Sequence, residues 1–199
     1  MTIACLDMEG VLLPEIWIGV SEKTGIKELS LTTRDISDYD KLMQHRIKIL
    51  REHNIKMSDI ENVISTLSPL DGAKDFLKRL QQKMQCIILS DTFYQFAMPL
   101  MKQLDYPTLF CHDLIIDEHG FVADYKLRMK DSKREAVKHF RALNFRTVAT
   151  GDSYNDTTML SEADAGILFR PPQRVIDEFP QFKVVTEYDD LYNVFVNIL

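Results

Sequence analysis

Thr2–Val11 reads TIACLDMEGV. A short, nearly all apolar run ends abruptly in two acids, Asp7 and Glu9, followed by a glycine. A brief apolar run bounded by polar residues is the pattern of a parallel strand covered on both faces. Three more runs repeat it: Gln85–Leu89, Arg146–Thr150 and Ala165–Phe169, with Lys183–Val185 as a weaker edge candidate. Between them lie helical periodicities at Asp71–Lys83, Phe93–Leu104, Lys133–Leu143 and Asp156–Ala163, and Pro99 is expected to bend or interrupt the second of these. Alternating strands and helices predict an α/β fold around a mostly parallel sheet with right-handed crossovers.

One segment breaks the alternation. Roughly seventy residues separate the first two strands, where a crossover needs far fewer. Pro14–Thr24, Asp38–His53 and Ser58–Thr66 are helical within it, with Ser58 and Glu61 as a capping box. The surplus is read as an inserted helical cap, residues 14–72, over a core of residues 1–13 and 73–199. Leu114–Leu127, divided by Asp117–Gly120, reads as a hairpin.

Composition narrows the function. The chain has 199 residues, 45% hydrophobic and 27% charged, which suits a soluble globular protein. A net charge of −6 without a basic run argues against nucleic acid. MTIACLDMEG carries no basic leader before an apolar stretch, and no run reaches membrane-span length. Cys5, Cys86 and Cys111 sit in or beside apolar runs and read as core residues of a reduced, cytoplasmic protein. The five histidines are scattered singly and read as structural or surface. Seven glycines form neither a Walker nor a dinucleotide pattern, which disfavours a nucleotide cofactor.

In an open α/β sheet, ligands bind at the carboxyl ends of the strands. After the first strand come Asp7 and Glu9. After the second, in CIILSD, come Ser90 and Asp91. After the third, in VATGDSYND, come Gly151 and Asp152, with Asp156 further on. Lys133 opens the helix before that strand, in KDSKREAV. Carboxylates such as Asp7 and Asp152 can hold Mg²⁺. An aspartate can attack phosphorus, with Ser90 and Lys133 neutralising the phosphoryl charge. Glu9 can protonate the leaving alcohol and then deprotonate water. Asp91 either orients Ser90 at a substrate contact or opens the next helix. Asp156 either caps its helix or supports the metal.

These four segments, in this order, resemble the four motifs of the haloacid dehalogenase superfamily: DMEGV the first, the run ending in Ser90 the second, Lys133 the third, GDSYND the fourth. The resemblance implies a Rossmann-like core with a helical cap and chemistry through Asp7. Glu9 departs from the usual second Asp and reaches about 1.5 Å further. In the usual pattern that residue gives the metal its backbone carbonyl, a role that survives the substitution. Asp-x-Glu-Gly is similar to the phosphoserine phosphatase branch, in its bifunctional phosphatase/homoserine phosphotransferase type. That resemblance implies a cytoplasmic homodimer, phosphoserine as substrate and homoserine as a competing acceptor. It also implies substrate contacts at Glu15, Arg46 and Asn155. The chemistry agrees: Arg46 can pair a carboxylate bidentately and Glu15 an ammonium. The alternatives are a phosphatase of another small metabolite, a phospho-accepting receiver domain, and a catalytically dead relative. A receiver domain has its phospho-accepting Asp after a later strand and lacks the cap. A dead relative is expected to lose Asp7, Lys133 or Asp152.

Overall fold

The computed structural model describes residues 1–32, 35–36 and 38–198. Its elements in chain order are β1 (Thr2–Leu6), α1 (Ile16–Thr24), α2 (Tyr39–Glu52), α3 (Met57–Ile64), α4 (Ala73–Gln81), β2 (Gln85–Phe93), α5 (Tyr94–Gln103), β3 (Thr108–Ile116) and β4 (Val122–Lys126). Then follow α6 (Ser132–Ala142), β5 (Arg146–Gly151), α7 (Thr157–Glu162), β6 (Ala165–Phe169), α8 (Gln173–Glu178), β7 (Lys183–Val185) and α9 (Tyr188–Asn197). The seven strands form one sheet in the order β4-β3-β2-β1-β5-β6-β7. Every neighbouring pair is parallel except β3 with β4.

The sheet is covered on both faces, and its apolar runs divide between two clusters with period two. Ala4, Leu6, Val148, Ile167 and Phe169 enter the cluster shared with α4, α5 and α9. Ile3, Cys5, Ala149 and Leu168 enter the other, with residues of α6, α7 and α8. Each fully buried Leu, Ile or Phe contributes about 1.5–3 kcal/mol relative to exposure. All three cysteines are buried and free, as their apolar context predicts.

Helices α1–α3 lie between β1 and α4 in sequence, and their apolar faces join the larger cluster. Polar bonds fasten α2 to the β3–β4 hairpin. Tyr125 donates to Asp40 Oδ1 at 2.6 Å, and Gln44 Nε2 to Asp124 Oδ1 at 3.3 Å. At the start of α3, the Met57 N–H donates to the Gly120 carbonyl at 2.8 Å. Among the described residues no helix is long and apolar enough to cross a membrane.

Several local expectations need correction. The Ser58–Glu61 capping box does not form, because α3 begins at Met57; Asp59 instead accepts from the Lys56 N–H at 2.8 Å. Helix α5 is not interrupted at Pro99, where Phe96, Ala97, Leu100 and Met101 are buried around the missing backbone bond. Helix α7 falls within the expected Asp156–Ala163 but is preceded by a 3-10 turn, Tyr154–Asp156, that the pattern did not show. The hairpin belongs to a longer strand, since β3 starts at Thr108 and pairs parallel with β2 before turning into β4. Strand β2 extends to Phe93, with its register broken between Leu89 and Phe93.

Candidate active site

The carboxyl ends of β1, β2 and β5 meet on one rim. The Asp7 N–H donates to the Thr150 carbonyl at 2.9 Å, which carries the β1–β5 pairing one residue past β1. The chain then folds sharply, with the Leu12 and Leu13 N–H groups both on the Met8 carbonyl. Gly10 stands at φ +75 inside this turn. A Cβ there would lie 2.4 Å from Asp152 Cγ, so the glycine lets the first and fourth motif segments touch. At Gly151 a Cβ would lie 2.3 Å from Asp156 Cγ, so that glycine lets Asp156 fold back against the end of β5.

The register break in β2 covers Ser90 to Thr92, and such irregularities re-aim side chains. Ser90 is buried and its Oγ accepts from the Thr92 N–H at 3.2 Å. Lys133, from the first turn of α6, is only 2% exposed. Its ammonium donates to Asp7 Oδ1 at 2.8 Å and Asp156 Oδ1 at 2.7 Å, and lies 3.4 Å from Asp91 Oδ2. Asp156 is fully buried, and its Oδ2 accepts from the N–H groups of Asp152 at 3.0 Å and Ser153 at 3.1 Å. One carboxylate thus both shapes the 151–156 loop and anchors the lysine. Asn155 donates to Asp91 Oδ2 at 3.1 Å and accepts from the Ser153 hydroxyl.

Burial lifts the Asp7 carboxyl well above the usual range, Asp156 adds to this, and Lys133 opposes it. Burial, then the Asp156 and Glu15 carboxylates, lift Asp152 to about 7. Glu9 is pushed up to about 8 by burial and by Glu15, against a hydrogen bond from the Ile16 N–H. That bond, to Glu9 Oε1 at 2.8 Å, joins the β1 loop to the start of α1. Burial disfavours the Lys133 charge, but Asp156, Asp7 and Asp91 together hold it ionised. Asp91 is held well below the usual range despite its burial, chiefly by Lys133 and then by His112 and Asn155.

Oxygens of Asp7, Asp152 and Asp156 all lie within 4.8 Å of one another. Hard oxygen donors carrying more negative charge than one ammonium balances fit a divalent cation such as Mg²⁺. A recess of about 60 Å³ is lined by Asp7, Glu9, Ser90, Lys133, Asp152 and their neighbours. A second cavity of about 600 Å³ shares Glu9, Glu15, Asp91, Lys133, Ser153 and Asn155 with it. Arg46 lines this larger space from α2 and is itself buried. Its guanidinium stacks over Trp17 at 4.5 Å and donates to the Leu31 carbonyl at 2.7 Å, while Nε makes no hydrogen bond. Glu15 occupies the N-cap position of α1 and lines both spaces.

Every residue singled out from the sequence therefore borders one of the two spaces, except Asp156, which lies behind Lys133. Met43 is core. Sequence reasoning missed Trp17, Tyr39 and His112, which also line the larger cavity. Trp17 and Tyr39 lie on helical periodicities that equally suit core packing. His112 lies inside β3, with no motif to mark it.

Comparison with known proteins agrees with this architecture. The family model for haloacid dehalogenase-like hydrolases matches residues 1–164. A phosphoserine phosphatase of Pseudomonas syringae pv. tomato is 59% identical over 194 residues, covering 98% of this chain and 82% of that protein. The phosphoserine phosphatase ThrH of Pseudomonas aeruginosa is 59% identical over 196 residues, covering 98% and 96%. Among solved structures, a phosphoserine phosphatase from T. onnurineus in complex with NDSB-201 aligns with a TM-score of 0.77 at 23% identity, covering 98% and 94%, a likeness of fold. Identity of this order along almost the whole chain leaves one assignment: this chain is a member of the haloacid dehalogenase-like hydrolase family, in its ThrH-type phosphoserine phosphatase branch.

Proposed function

We propose that this chain is a magnesium-dependent phosphoserine phosphatase that carries the phosphoryl group on Asp7 and passes it to water or to homoserine. The observation that carries the reading is the pairing of two unlike ends in adjoining spaces. One end is the recess of Asp7, Ser90, Lys133 and Asp152. The other is the larger cavity, lined by the buried guanidinium of Arg46 and by Glu15. A phosphomonoester needs the first end, and an amino acid's carboxylate and ammonium need the second. The relatives named for phosphoserine support the same choice. In this reading residues 14–72 are the cap that brings Glu15 and Arg46 over a core of residues 1–13 and 73–199.

Arg46 takes the substrate carboxylate and Glu15 its ammonium. Asp7 Oδ1 is held by Lys133 and by the Met8 N–H, so the attacking oxygen is Oδ2. Oδ2 forms a bond to phosphorus as the bond from phosphorus to the seryl oxygen breaks. Protonated Glu9 delivers its proton to that oxygen. Water then attacks the aspartyl-phosphate and gives a proton back to Glu9, and inorganic phosphate leaves with Asp7 restored. With homoserine in place of water the product is phosphohomoserine. Ser90, Lys133 and Asn155 hold the phosphoryl oxygens through these steps. Mg²⁺, held by Asp7, Asp152 and the Glu9 carbonyl with Asp156 in support, would supply positive charge opposite the phosphoryl oxygens.

Phosphate release from L-phosphoserine with Mg²⁺, measured with and without homoserine, tests the reading, with Asp7→Asn as control. Release requiring both Mg²⁺ and Asp7 is expected, with phosphohomoserine formed at the expense of phosphate when homoserine is present. Turnover of phosphoserine by Asp7→Asn at the wild-type rate would overturn the mechanism.

A further inference from the structure

His112 is buried, 3% exposed, yet it lines the larger cavity. It stands where β2 resumes its pairing after the register break, opposite Phe93. Its Nδ1 accepts from the Arg128 N–H at 3.0 Å. A neutral imidazole accepting at Nδ1 carries its proton on Nε2. That Nε2 lies 3.7 Å from Asp91 Oδ1. The separation is longer than a direct hydrogen bond, so the imidazole faces the carboxylate without closing on it. The other Asp91 oxygen faces Asn155 at 3.1 Å and Lys133 at 3.4 Å. Asp91 thus has one oxygen faced by His112 and the other engaged by Asn155 and Lys133. A carboxylate beside a phosphoryl recess repels the substrate unless its charge is fully engaged and its oxygens are turned to useful donors.

We propose that His112 is a positioning residue for the reaction, holding the Asp91 carboxylate turned toward Asn155 and Lys133. This rests on the phosphoryl-transfer reading of the recess but not on phosphoserine being the substrate. His112 acts through Asp91 and touches no reacting atom. Its loss therefore loosens Asn155 and Lys133 without altering the Arg46 end of the cavity.

Two substitutions separate positioning from packing. His112→Asn keeps an acceptor for the Arg128 N–H and removes the donor facing Asp91. His112→Gln extends an amide N–H toward Asp91. The Asn variant is expected to keep its thermal midpoint within a few degrees while kcat falls roughly tenfold to a hundredfold and KM stays within about twofold. The Gln variant is expected to recover most of that loss. p-Nitrophenyl phosphate, which uses the recess alone, should lose the same factor in kcat as L-phosphoserine. A wild type that turns over only the aryl phosphate would refute the phosphoserine assignment and leave the His112 comparison intact on that substrate. Independently of turnover, long-range ¹⁵N–¹H spectra should show His112 protonated at Nε2 and bare at Nδ1, with the Nε2–H signal moved by Asp91→Asn. Wild-type kcat in His112→Asn, no recovery in His112→Gln, or the opposite tautomer would each overturn the proposal.

Discussion

Gly10→Ala should spare the fold and cripple the enzyme. The substitution has two separable effects. Gly10 stands at φ +75, and an alanine there costs roughly 1–2 kcal/mol of backbone strain. The new Cβ would also lie 2.4 Å from Asp152 Cγ and 2.5 Å from its Oδ2, where ordinary contact begins at 3.4 Å. Asp152 must therefore retreat by about 1 Å, and a displacement of ~1 Å near reacting groups costs about a hundredfold in rate. The clash falls on a terminal carboxylate rather than on backbone, so the chain can accommodate it at the expense of the site. Thermal unfolding in EDTA should show a midpoint lowered by about 2–8 °C. Phosphate release from L-phosphoserine across a Mg²⁺ titration should show kcat/KM down about a hundredfold and half-saturation moved to higher Mg²⁺. Near-wild-type turnover at limiting Mg²⁺, with the midpoint lowered as expected, would mean that the position of Asp152 does not matter and would refute the reasoning.

Three further outcomes follow from the same structure. In EDTA the protein should lose stability as pH climbs from about 4 toward 8. Asp152 and Glu9 are lifted from 3.8 and 4.5 to about 7 and 8, so the folded state holds protons that the unfolded chain has released. Denaturant midpoints at pH 5 and 8.5 check this, and a rise with pH would refute it. Arg46→Ala should depress phosphoserine kcat/KM far more than that of p-nitrophenyl phosphate; equal losses on both would remove the amino-acid assignment. Burial pushes the thiols of Cys5, Cys86 and Cys111 up to about 12, so they stay protonated at pH 8. Ellman's reagent should find three thiols only after denaturation, and rapid reaction with the native protein would contradict their burial.

The parallel core was legible because strands buried on both faces are written as short apolar runs; β1, β6 and β7 coincide with the runs that announce them. The end of β2 was less legible. Ser90, Asp91 and Thr92 look like a polar exit from a strand, but the strand continues through them to Phe93 across a register break. The parallel half of β3, which includes Phe110, Cys111 and His112, was hidden because its strand alternation is broken by the polar Thr108, His112 and Asp113. Helix α8 was missed because it spans only six residues, whereas α9, which buries Tyr188, Leu191 and Phe195 at helical spacing, carried a readable pattern that went unread. In the site, the acids and Lys133 were visible because strand ends and motif order mark them. The sequence left Asp156 between capping its helix and supporting a metal; its side chain makes no cap bond to α7, and one oxygen instead accepts from the Asp152 and Ser153 N–H groups while the other holds Lys133. His112 had no such marker, since its neighbourhood is created only when β2 and β3 pair.

The substitution of Glu for the usual Asp at position 9 also becomes intelligible at this level. Glu9 Oε1 reaches the first N–H of α1, at Ile16. An aspartate would stop about 1.5 Å short. The longer side chain therefore ties the loop beside Asp7 to the first helix of the proposed cap. A helix N-terminus favours the charged carboxylate, whereas burial and the neighbouring Glu15 favour the neutral acid. The second influence wins, and the group sits near 8. With Oε1 accepting from Ile16, a proton on Glu9 belongs on Oε2. In the proposed mechanism that oxygen is the one left to face the seryl leaving group. The same hydrogen bond that moves the residue away from the superfamily pattern thus fixes which of its oxygens can act as acid.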